Sequence, residues 1–208
     1  MAIISGGFRR LAYFKTGDNA WTIFAGVHHI IDVICYGDQF YFVNLEGVVF
    51  SYDLNHPDPK VVEVAQCPES PWAMRRYLVE SSGELLQVCR FTRFDVVDDN
   101  IIKDFVNNGF DVFKLDLVAF KWIKMNTLHG RVLFLGRNSS YSLLASDFPG
   151  CKPNSVYFTD DYYERFVEDY GLGPRDMGVF NLEDGSHEPH YRTGSKKIPA
   201  HIWIEPIL

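Results

Sequence analysis

Three short segments of the chain share one pattern of apolar and polar positions. VFSYDL at 49–54, VFKLDL at 112–117 and VFNLED at 179–184 each begin with valine and phenylalanine, continue with a polar and a large apolar residue, and carry an acid near the end. Similar strings at similar spacings predict a repeated supersecondary unit whose loops vary in length.

Each copy is typical of a strand whose second, fourth and sixth residues share one face, because side chains alternate along a strand. That face is apolar in the segments 49–54 and 112–117, so we expect it to be buried. An acid near a strand end suits a turn, where its carboxylate accepts backbone N–H bonds. In the third copy Asp184 replaces the final leucine, so we expect this strand to end earlier.

Further strand-like runs surround the three copies. They are DVICYG (32–37), DQFYFVN (38–44), KVVEVA (60–65), RRYLVESSG (75–83), ELLQVCRF (84–91), FKWIKM (120–125), RVLFLG (131–136), NSVYFTDD (154–161) and possibly EPHYR (188–192). Gly47 and the SSGE segment 81–84 predict tight hairpin turns, since glycine adopts positive φ readily. Four short strands per unit predict an all-β, β-propeller-like array of four-stranded antiparallel blades.

The repeats predict a single propeller-like domain, 1–208. We expect its set of blades to be incomplete. Its predicted parts are a partial blade at 8–24, blades at about 31–64, 76–125 and 131–192, and a possible closing strand at 201–204. Closed propellers usually have four or more blades, since an open end exposes strand edges. Either the closing strand pairs with the partial blade, or the open flank binds a partner.

Two segments interrupt the β pattern and predict two short helical insertions. In VDDNIIKDFVNNG (97–109) and TDDYYERFVEDYG (159–171) the apolar spacing is helical, acids stand at the start and a glycine stands at the end. Insertions at one position of successive blades gather on one face. We expect that face to bind protein, through the candidate residues Ile101, Phe105, Tyr162, Tyr163, Phe166 and Tyr170.

Composition narrows the class of protein. With 47% hydrophobic, 23% charged and 15% aromatic residues, the chain is typical of a globular domain rich in strands. Its formal net charge of −7 gives no general attraction to phosphate backbones, so we expect no nucleic-acid partner. No apolar run approaches the ~20 residues that span a bilayer, so we expect no membrane partner.

The cysteines Cys35, Cys67, Cys89 and Cys151 lie far apart without a C-x-x-C pair. This spacing predicts neither a zinc ribbon nor a redox dithiol. We expect buried, reduced thiols, which favour a reducing compartment, the cytoplasm or the nucleus.

Several polar clusters invite a chemical interpretation, but each has a simpler structural one. HEPH at 187–190 and His28-His29 with Asp32 contain metal-ligating residue types, yet we expect a surface turn for the first and opposite strand faces for the histidine pair. GRNSS at 136–140 lacks the lysine and helix of a phosphate loop and is interpreted as a turn. We attribute Asp160, Asp161 and Asp176 to helix capping and solvation, because nothing predicts split acid and base pKa values. We therefore expect no catalytic residue, metal or cofactor.

Each of the four tryptophans is a candidate either for packing inside the fold or for contacts at the surface. Inter-blade packing is the preferred interpretation of Trp21 and Trp122, whereas Trp72 and Trp203 are either surface anchors or core residues.

Longer segments resemble the plant F-box-associated β-propeller family (domain of unknown function 295 type). They are LAYFKTGDNAWTIF (11–24), YGDQFYFVNLEGVVFSYDL (36–54), YLVESSGELLQVCRF (77–91), FDVFKLDL (110–117), LFLGRNSSYSLLASDFPGCKPNSVYFTDD (133–161), GVFNLEDG (178–185) and PAHIWIEPIL (199–208). The resemblance implies a non-enzymatic protein-interaction domain, similar to the kelch-like substrate-recognition propeller of plant F-box ubiquitin-ligase adaptors. Its partner is then a protein target.

In this family the F-box is a helical module that docks onto a Skp-type adaptor. No such module precedes the first strands here, so we expect no Skp-type adaptor as a partner. The alternative is an enzyme or small-molecule binder using a central-channel pocket. A deep pocket with convergent polar groups and shifted carboxylates favours the alternative, and an apolar, aromatic loop face favours protein binding.

Overall fold

The fold is described from a computed structural model of the chain. It covers residues 2–5, 10–24, 26–70, 72–97, 101–136, 138–159, 176–189 and 203. Within these residues, no helix has the length and apolarity needed to cross a membrane.

Strands form most of the described structure. They are β1 (Ala2–Ser5), β2 (Arg10–Tyr13), β3 (Thr22–Ile23), β4 (Ile30–Tyr36), β5 (Gln39–Asn44), β6 (Val49–Asp53), β7 (Val61–Ala65), β8 (Arg75–Ser81), β9 (Glu84–Val97), β10 (Ile101–Asp116), β11 (Lys121–Met125), β12 (Arg131–Leu135), β13 (Tyr141–Leu144), β14 (Ser155–Phe158), β15 (Gly178–Asn181) and β16 (His187–Pro189). A single turn of 3-10 helix, Ala145–Asp147, follows β13.

The strands form four sheets in sequence order. The sheets are β1-β2-β3, β4-β5-β6-β7, β8-β9-β10-β11 and a five-stranded sheet, β13-β12-β14-β15-β16. The antiparallel register of the second sheet pairs Phe42 with Phe50 and Ser51 with Val62. The all-β, propeller-like prediction is confirmed.

The sheet at 131–189 differs from a simple antiparallel meander. β13, which the pattern of residues did not predict, pairs antiparallel with β12, and β14 then pairs parallel with the other edge of β12, with Leu133 opposite Val156. β15 and β16 continue antiparallel from β14. β12 is therefore an interior strand of this sheet, and its four buried residues, 132–135, match a strand covered on both faces.

The helical insertion predicted at 98–108 is wrong over its described part. Residues 101–116 form one continuous strand, β10, hydrogen-bonded beside β9. The apolar residues Ile101, Ile102, Phe105 and Val106 span only six positions, too few to separate a helical period from a strand. Three of them are β-branched and the next residues are Asn-Asn-Gly, a composition that disfavours a helix. The second predicted helix, at 160–170, lies outside the described residues.

The acids of the repeated motif close turns, as predicted. Asp53 Oδ1 accepts a 2.8 Å bond from Asn55 N, and Asp116 Oδ1 accepts bonds of 2.8 and 2.9 Å from the backbone N–H groups of the following turn. In the third copy the strand ends two residues earlier, and Asn181 Oδ1 takes this role by accepting from Glu183 N at 2.8 Å. The expected early end of this strand is confirmed.

Both faces of the repeated strands are covered, not only the Phe-Leu face. The leading valines Val49, Val112 and Val179 are buried. On the opposite face Phe50 packs against a cluster formed by β2, β4 and β5. The motif therefore forms a strand that packs between two apolar layers.

The chain divides into two compact units. The first contains 1–89 and 113–124, and the second contains 90–112 and 125–208, so the division falls within β9 and β10. The first unit holds two cores, one around Leu11, Phe24 and Phe42 and one around Val43, Leu78 and Leu85. The second holds a core around Val132, Phe134 and Tyr157, against which Trp203 packs.

All four cysteines are free, but the expectation that all are buried is wrong. Cys89 is buried on β9, Cys67 and Cys151 are partly exposed, and Cys35 is exposed on β4. On β4, an edge strand of its sheet, Cys35 is the one exposed residue and its neighbours are buried or half-buried.

Candidate protein-binding surface

The residues predicted to bind protein are only partly described. Ile101 and Phe105 lie on β10, in the strand that replaces the predicted helix. Tyr162, Tyr163, Phe166 and Tyr170 lie outside the described residues. The structure therefore does not bring the six together, and they stay a prediction.

Three exposed apolar side chains lie on two connections of the first unit. Leu45 is in the turn between β5 and β6, and Trp72 and Met74 are in the loop between β7 and β8. Trp72 is 84% exposed, and Leu45 and Met74 are also exposed. We call these three residues the Trp72 surface. An exposed indole is unusual, because burying an aromatic side chain is a large stabilising contribution.

The turn that carries Leu45 is closed by local hydrogen bonds. Asn44 Oδ1 accepts from Val48 N at 2.9 Å, and Gly47 N donates to Asn44 O at 3.0 Å. Gly47 has φ +88°, so the predicted glycine turn is confirmed. Leu45 N donates to His29 O at 3.0 Å, which fixes the backbone beneath the exposed leucine.

Arg76, only 5% exposed, links this turn to the loop that carries Trp72. Its guanidinium donates to Leu45 O at 2.7 Å, to Ser70 O at 3.4 Å and to Cys67 Sγ at 3.7 Å. Buried charged groups are stable only when hydrogen bonds replace water. Both connections are thus held against one rigid side chain.

The packing around Gly47 leaves no room for a side chain. A Cβ there would lie 2.7 Å from both Arg76 Nε and Cys67 Sγ. Gln87 Nε2 donates to Gly47 O at 3.4 Å from below. The backbone of the turn therefore sits directly on the side chains that hold the loop.

Two exposed acids lie beside the Trp72 surface. Glu46 follows Leu45 and Glu69 precedes Ser70, and both are exposed. Each is the chain neighbour of a residue whose carbonyl oxygen Arg76 binds. An apolar centre with a charged rim is typical of protein interfaces.

Two carboxyls in turns have pKa values below the ordinary value of 3.8. Hydrogen bonds from Ala119 and Val118 lower the pKa of Asp116, and bonds from Ser186 lower that of Asp184. A general acid needs a raised pKa. These shifts are explained by turn closure.

A cavity of about 360 Å³ lies on the first unit, beside β5, β6 and β7. Its polar lining includes Asp53, His56 and Lys60. Asp53 is already committed to its turn, and Lys60 pairs with Asp58 at 2.7 Å while both remain largely exposed. The cavity is a surface depression rather than a deep site with convergent polar groups.

The candidate metal-ligating residues do not converge in the described part of the chain. The His187 ring stacks on Phe158 with centroids 5.5 Å apart, and His28 and His29 are exposed. His190 lies outside the described residues. No group of three His, Cys, Asp or Glu side chains arranged to hold a metal ion is present among those described.

Asn138 of the GRNSS segment forms hydrogen bonds with Trp203. Asn138 Nδ2 donates to Trp203 O at 2.7 Å, Trp203 N donates to Asn138 Oδ1 at 3.2 Å, and the indole Nε1 donates to Leu135 O at 2.8 Å. Arg137 lies outside the described residues. The segment therefore contacts the chain itself through Asn138.

The attribution of Asp176 to capping and solvation is wrong. Asp176 is 6% exposed and pairs with Arg90, itself 1% exposed, at 2.8 Å. Asp160 and Asp161 lie outside the described residues. The carboxylate is internal because the buried guanidinium on β9 compensates its charge.

The tryptophans divide between packing and exposure. Trp122 packs against the core and donates to Gln66 O at 2.7 Å, which confirms the packing prediction. Trp21 is exposed, with its ring centroid 5.7 Å from that of Phe14, which contradicts the packing prediction for this residue. Trp72 was left open between anchor and core. No local signal distinguishes it, since its loop is positioned by Arg76.

The chain is similar in sequence to several plant F-box proteins. It is 29% identical over 204 residues to a putative F-box protein, At5g55150, of Arabidopsis thaliana, covering 95% of this chain and 53% of that protein. It is 29% identical to the F-box protein SKIP23 of the same plant, over 86% of this chain and 46% of that protein. A putative F-box/kelch-repeat protein, At5g24040, is 25% identical over 74% of this chain and 41% of its own length.

The chain thus spans about half the length of the curated relatives it matches. No solved structure matches it. The model of the KIB1-4 β-propeller matches residues 1–181, which include three of the sheets and most of the fourth. The chain belongs to the KIB1-4 β-propeller family.

Proposed function

We propose that this chain is a protein-interaction domain that binds a protein target through the Trp72 surface and catalyses no reaction. The observation that carries the proposal is the 84% exposure of Trp72 on connections that a buried arginine holds in place. Tryptophan is enriched among the residues that dominate binding energy in protein interfaces.

The rigid backbone beneath the Trp72 surface is a second feature that supports binding. Arg76 and the Gly47 turn hold Leu45 and the loop before binding, so less conformational entropy is lost when a partner docks. A loop surface on a rigid sheet scaffold is a common arrangement for recognition.

The curated relatives are named F-box proteins, which supports a more specific role. In this proposal the domain resembles the substrate-recognition part of plant F-box ubiquitin-ligase adaptors, and its target is a ubiquitylation substrate. That this chain does not itself bind a Skp-type adaptor stays a prediction, and a pull-down with a purified adaptor measures it directly.

Affinity capture from plant extract tests the surface. The chain, Trp72→Ala and Leu144→Ser serve as baits, with captured proteins quantified by mass spectrometry. Leu144 is an exposed apolar residue on β13 of the second unit, so it is a matched control that is not one of the three residues of the Trp72 surface. Proteins captured by the chain should be retained by Leu144→Ser and lost with Trp72→Ala. Retention of the same proteins by Trp72→Ala contradicts the assignment of the surface.

The aromatic residues near 160–170 form a separate arm of the same experiment. Serine at Tyr162, Tyr163, Phe166 and Tyr170 together tests the sequence-based candidates, and serine at Ile101 and Phe105 tests the two on β10. Loss of captured proteins in either variant, with Trp72→Ala unaffected, moves the binding surface to those residues. Retention in both, together with loss in Trp72→Ala, supports the Trp72 surface as the binding site.

A further inference from the structure

The Cys67 thiol lies beside the guanidinium that holds the Trp72 surface. Cys67 is partly exposed in the connection between β7 and β8. Arg76 Nη2 donates to its sulfur at 3.7 Å, and the thiol itself donates to Pro68 O at 3.2 Å. Cys35, the exposed cysteine of β4, is contacted by no cationic donor within the described part of the chain. The two accessible thiols therefore have different electrostatic environments.

Arg76 keeps one N–H group unpaired beside this sulfur. Its side chain is 5% exposed, and Nε has no hydrogen-bond partner among the residues that the structure describes. A Cβ placed on Gly47 would lie 2.7 Å from both Arg76 Nε and Cys67 Sγ, so these two atoms flank the same point. A buried donor without a partner is unfavourable, and the partner that is missing here is an acceptor next to the thiol.

An oxygen atom bonded to Cys67 Sγ supplies that acceptor. A sulfenate oxygen next to a guanidinium accepts a charge-assisted hydrogen bond, which is roughly twice as strong as a neutral one. The same positive charge faces the sulfur as it attacks an oxidant. Cysteines that undergo reversible oxidation are typically partly exposed and adjacent to Arg, Lys or protonated His, which is the environment of Cys67.

We propose that Cys67 is a modification site, at which a hydroperoxide oxidises the thiol to a sulfenic acid. The sulfur attacks one peroxide oxygen, so an S–O bond forms as the O–O bond breaks. The thiol proton leaves with the other oxygen, as water from hydrogen peroxide or as an alcohol from an organic hydroperoxide. The sulfur is oxidised by two electrons and the peroxide is reduced by two. The oxygen on Sγ then accepts from Arg76.

The modification loosens the Trp72 surface, and this regulatory step rests on the proposed function. Arg76 donates to Leu45 O at 2.7 Å and to Ser70 O at 3.4 Å. The long bond to Ser70 is the weaker of the two, so the guanidinium gives it up when it turns to the sulfenate. The turn in which Ala73 N donates to Ser70 O at 3.3 Å then loses the side chain that holds it. The loop that carries Trp72 is less ordered before binding, so more conformational entropy is lost when a target docks.

Hydrogen peroxide treatment of the intact chain, with dimedone trapping and mass spectrometry, measures sulfenic acid at each cysteine. Labelling of Cys67 should be about tenfold faster than labelling of Cys35, since one charge-assisted hydrogen bond lowers a barrier by that order. Accessibility alone gives the reverse order, because Cys35 is exposed and Cys67 is partly exposed. Arg76→Lys should slow the labelling of Cys67. Equal or faster labelling of Cys35 in the intact chain overturns the proposal, whether or not Arg76→Lys folds.

Hydrogen exchange followed by mass spectrometry measures the loosening without any target. Peroxide should speed exchange in peptides that contain Ala73, and dithiothreitol, which reduces a sulfenic acid, should restore slow exchange. In Cys67→Ser, exchange should be the same with and without peroxide. Unchanged exchange in the oxidised chain, or the same increase in Cys67→Ser, overturns the loosening of the loop.

The capture experiment separates this proposal from the proposed function. After oxidation and removal of peroxide, the chain should lose the proteins whose capture depends on Trp72, and Cys67→Ser treated in the same way should retain them. Retention by the oxidised chain, or loss from treated Cys67→Ser, overturns the regulatory step. If Trp72→Ala captures the same proteins as the chain, the proposed function fails, while labelling and exchange still decide whether Cys67 is a modification site.

Discussion

Arg90 Nη2 donates to Asp176 Oδ2 at 2.8 Å in a site where the two side chains are almost completely buried. The same guanidinium donates to Thr159 O at 3.0 Å and lies 4.6 Å from the ring centroid of Phe158. Asp176 Oδ1 accepts from Asn107 N at 3.0 Å. One ion pair of the second unit therefore connects β9, β10 and the residues that follow β14 and precede β15.

Removing one partner of this pair should strongly destabilise the chain. Asp176→Asn and Arg90→Met are each expected to lower the free energy of unfolding by about 3–5 kcal/mol, because the remaining charge is buried without compensation. Urea denaturation followed by circular dichroism measures the loss. The matched control is Lys60→Met, in the exposed pair with Asp58, where the effect should be close to zero.

The double variant Arg90→Met/Asp176→Asn separates pairing from packing. It should lose less than the sum of the two single variants, since it leaves no unpaired charge. Strictly additive losses contradict a direct interaction between the two side chains.

A side chain at Gly47 should disrupt the turn beneath Leu45. Gly47→Ala meets both a positive φ and contacts of 2.7 Å with Arg76 and Cys67, so its cost should exceed the roughly 1–2 kcal/mol of a left-handed non-glycine residue alone. Gly17→Ala is the control, because Gly17 has φ +97° and open space at its Cβ position. Equal destabilisation of the two variants, measured by thermal unfolding, argues against the close packing of Gly47.

The Asp116 carboxyl should titrate below its ordinary value of 3.8, owing to the bonds from Ala119 and Val118. Because its pKa is lower in the folded chain, Asp116 stabilises the fold at pH values above its pKa in the unfolded chain. This contribution is lost as the pH falls through the folded pKa. Carbon-detected NMR titration of the side-chain carboxyl measures the value, and Asp116→Asn should remove this part of the acid dependence. A measured pKa at or above the ordinary value contradicts the turn geometry.

The Tyr52 phenol should ionise at a higher pH than an ordinary tyrosine. Burial and the hydrogen bond with Tyr13 raise its pKa from 10.0 to about 12. The neutral form is favoured in the folded chain, so its stabilising effect is present below pH 10 and is lost as the pH rises through the folded pKa. Ultraviolet difference titration of the chain against Tyr52→Phe should show one late-titrating phenol. Ionisation of Tyr52 near its ordinary value excludes this environment.

Local chemistry made much of the fold predictable. The repeated Val-Phe motif predicted the strands β6 and β15 and the last five residues of β10, and Asp53, Asp116 and Gly47 predicted the turns, because each depends on neighbours within a few residues. The parallel pairing of β12 with β14 was not predictable in this way, since it joins segments separated by an edge strand. The strand at 101–106 was misassigned because six residues fit both periods.

The candidate site was less predictable than the fold. Trp72 is exposed because its loop is fixed by Arg76, whose other main contact, Leu45, is 31 positions away in sequence. The burial of Asp176 depends on Arg90, 86 positions away. Contacts between residues so far apart produce no periodic pattern in the sequence. A single tryptophan or aspartate in a loop is therefore equally consistent with packing, solvation or recognition.

The placement of β12 between β13 and β14 has a consequence for how the second unit acquires its structure. A sheet of successive hairpins can zip up from neighbour to neighbour, but β14 must bypass β13 and find the opposite edge of β12 after residues 136–154 have closed a loop. Non-local pairing of this kind delays the gain of contacts until loop entropy has been lost. Protection of the amides of β14 against hydrogen exchange should accordingly be the late event during refolding of this sheet.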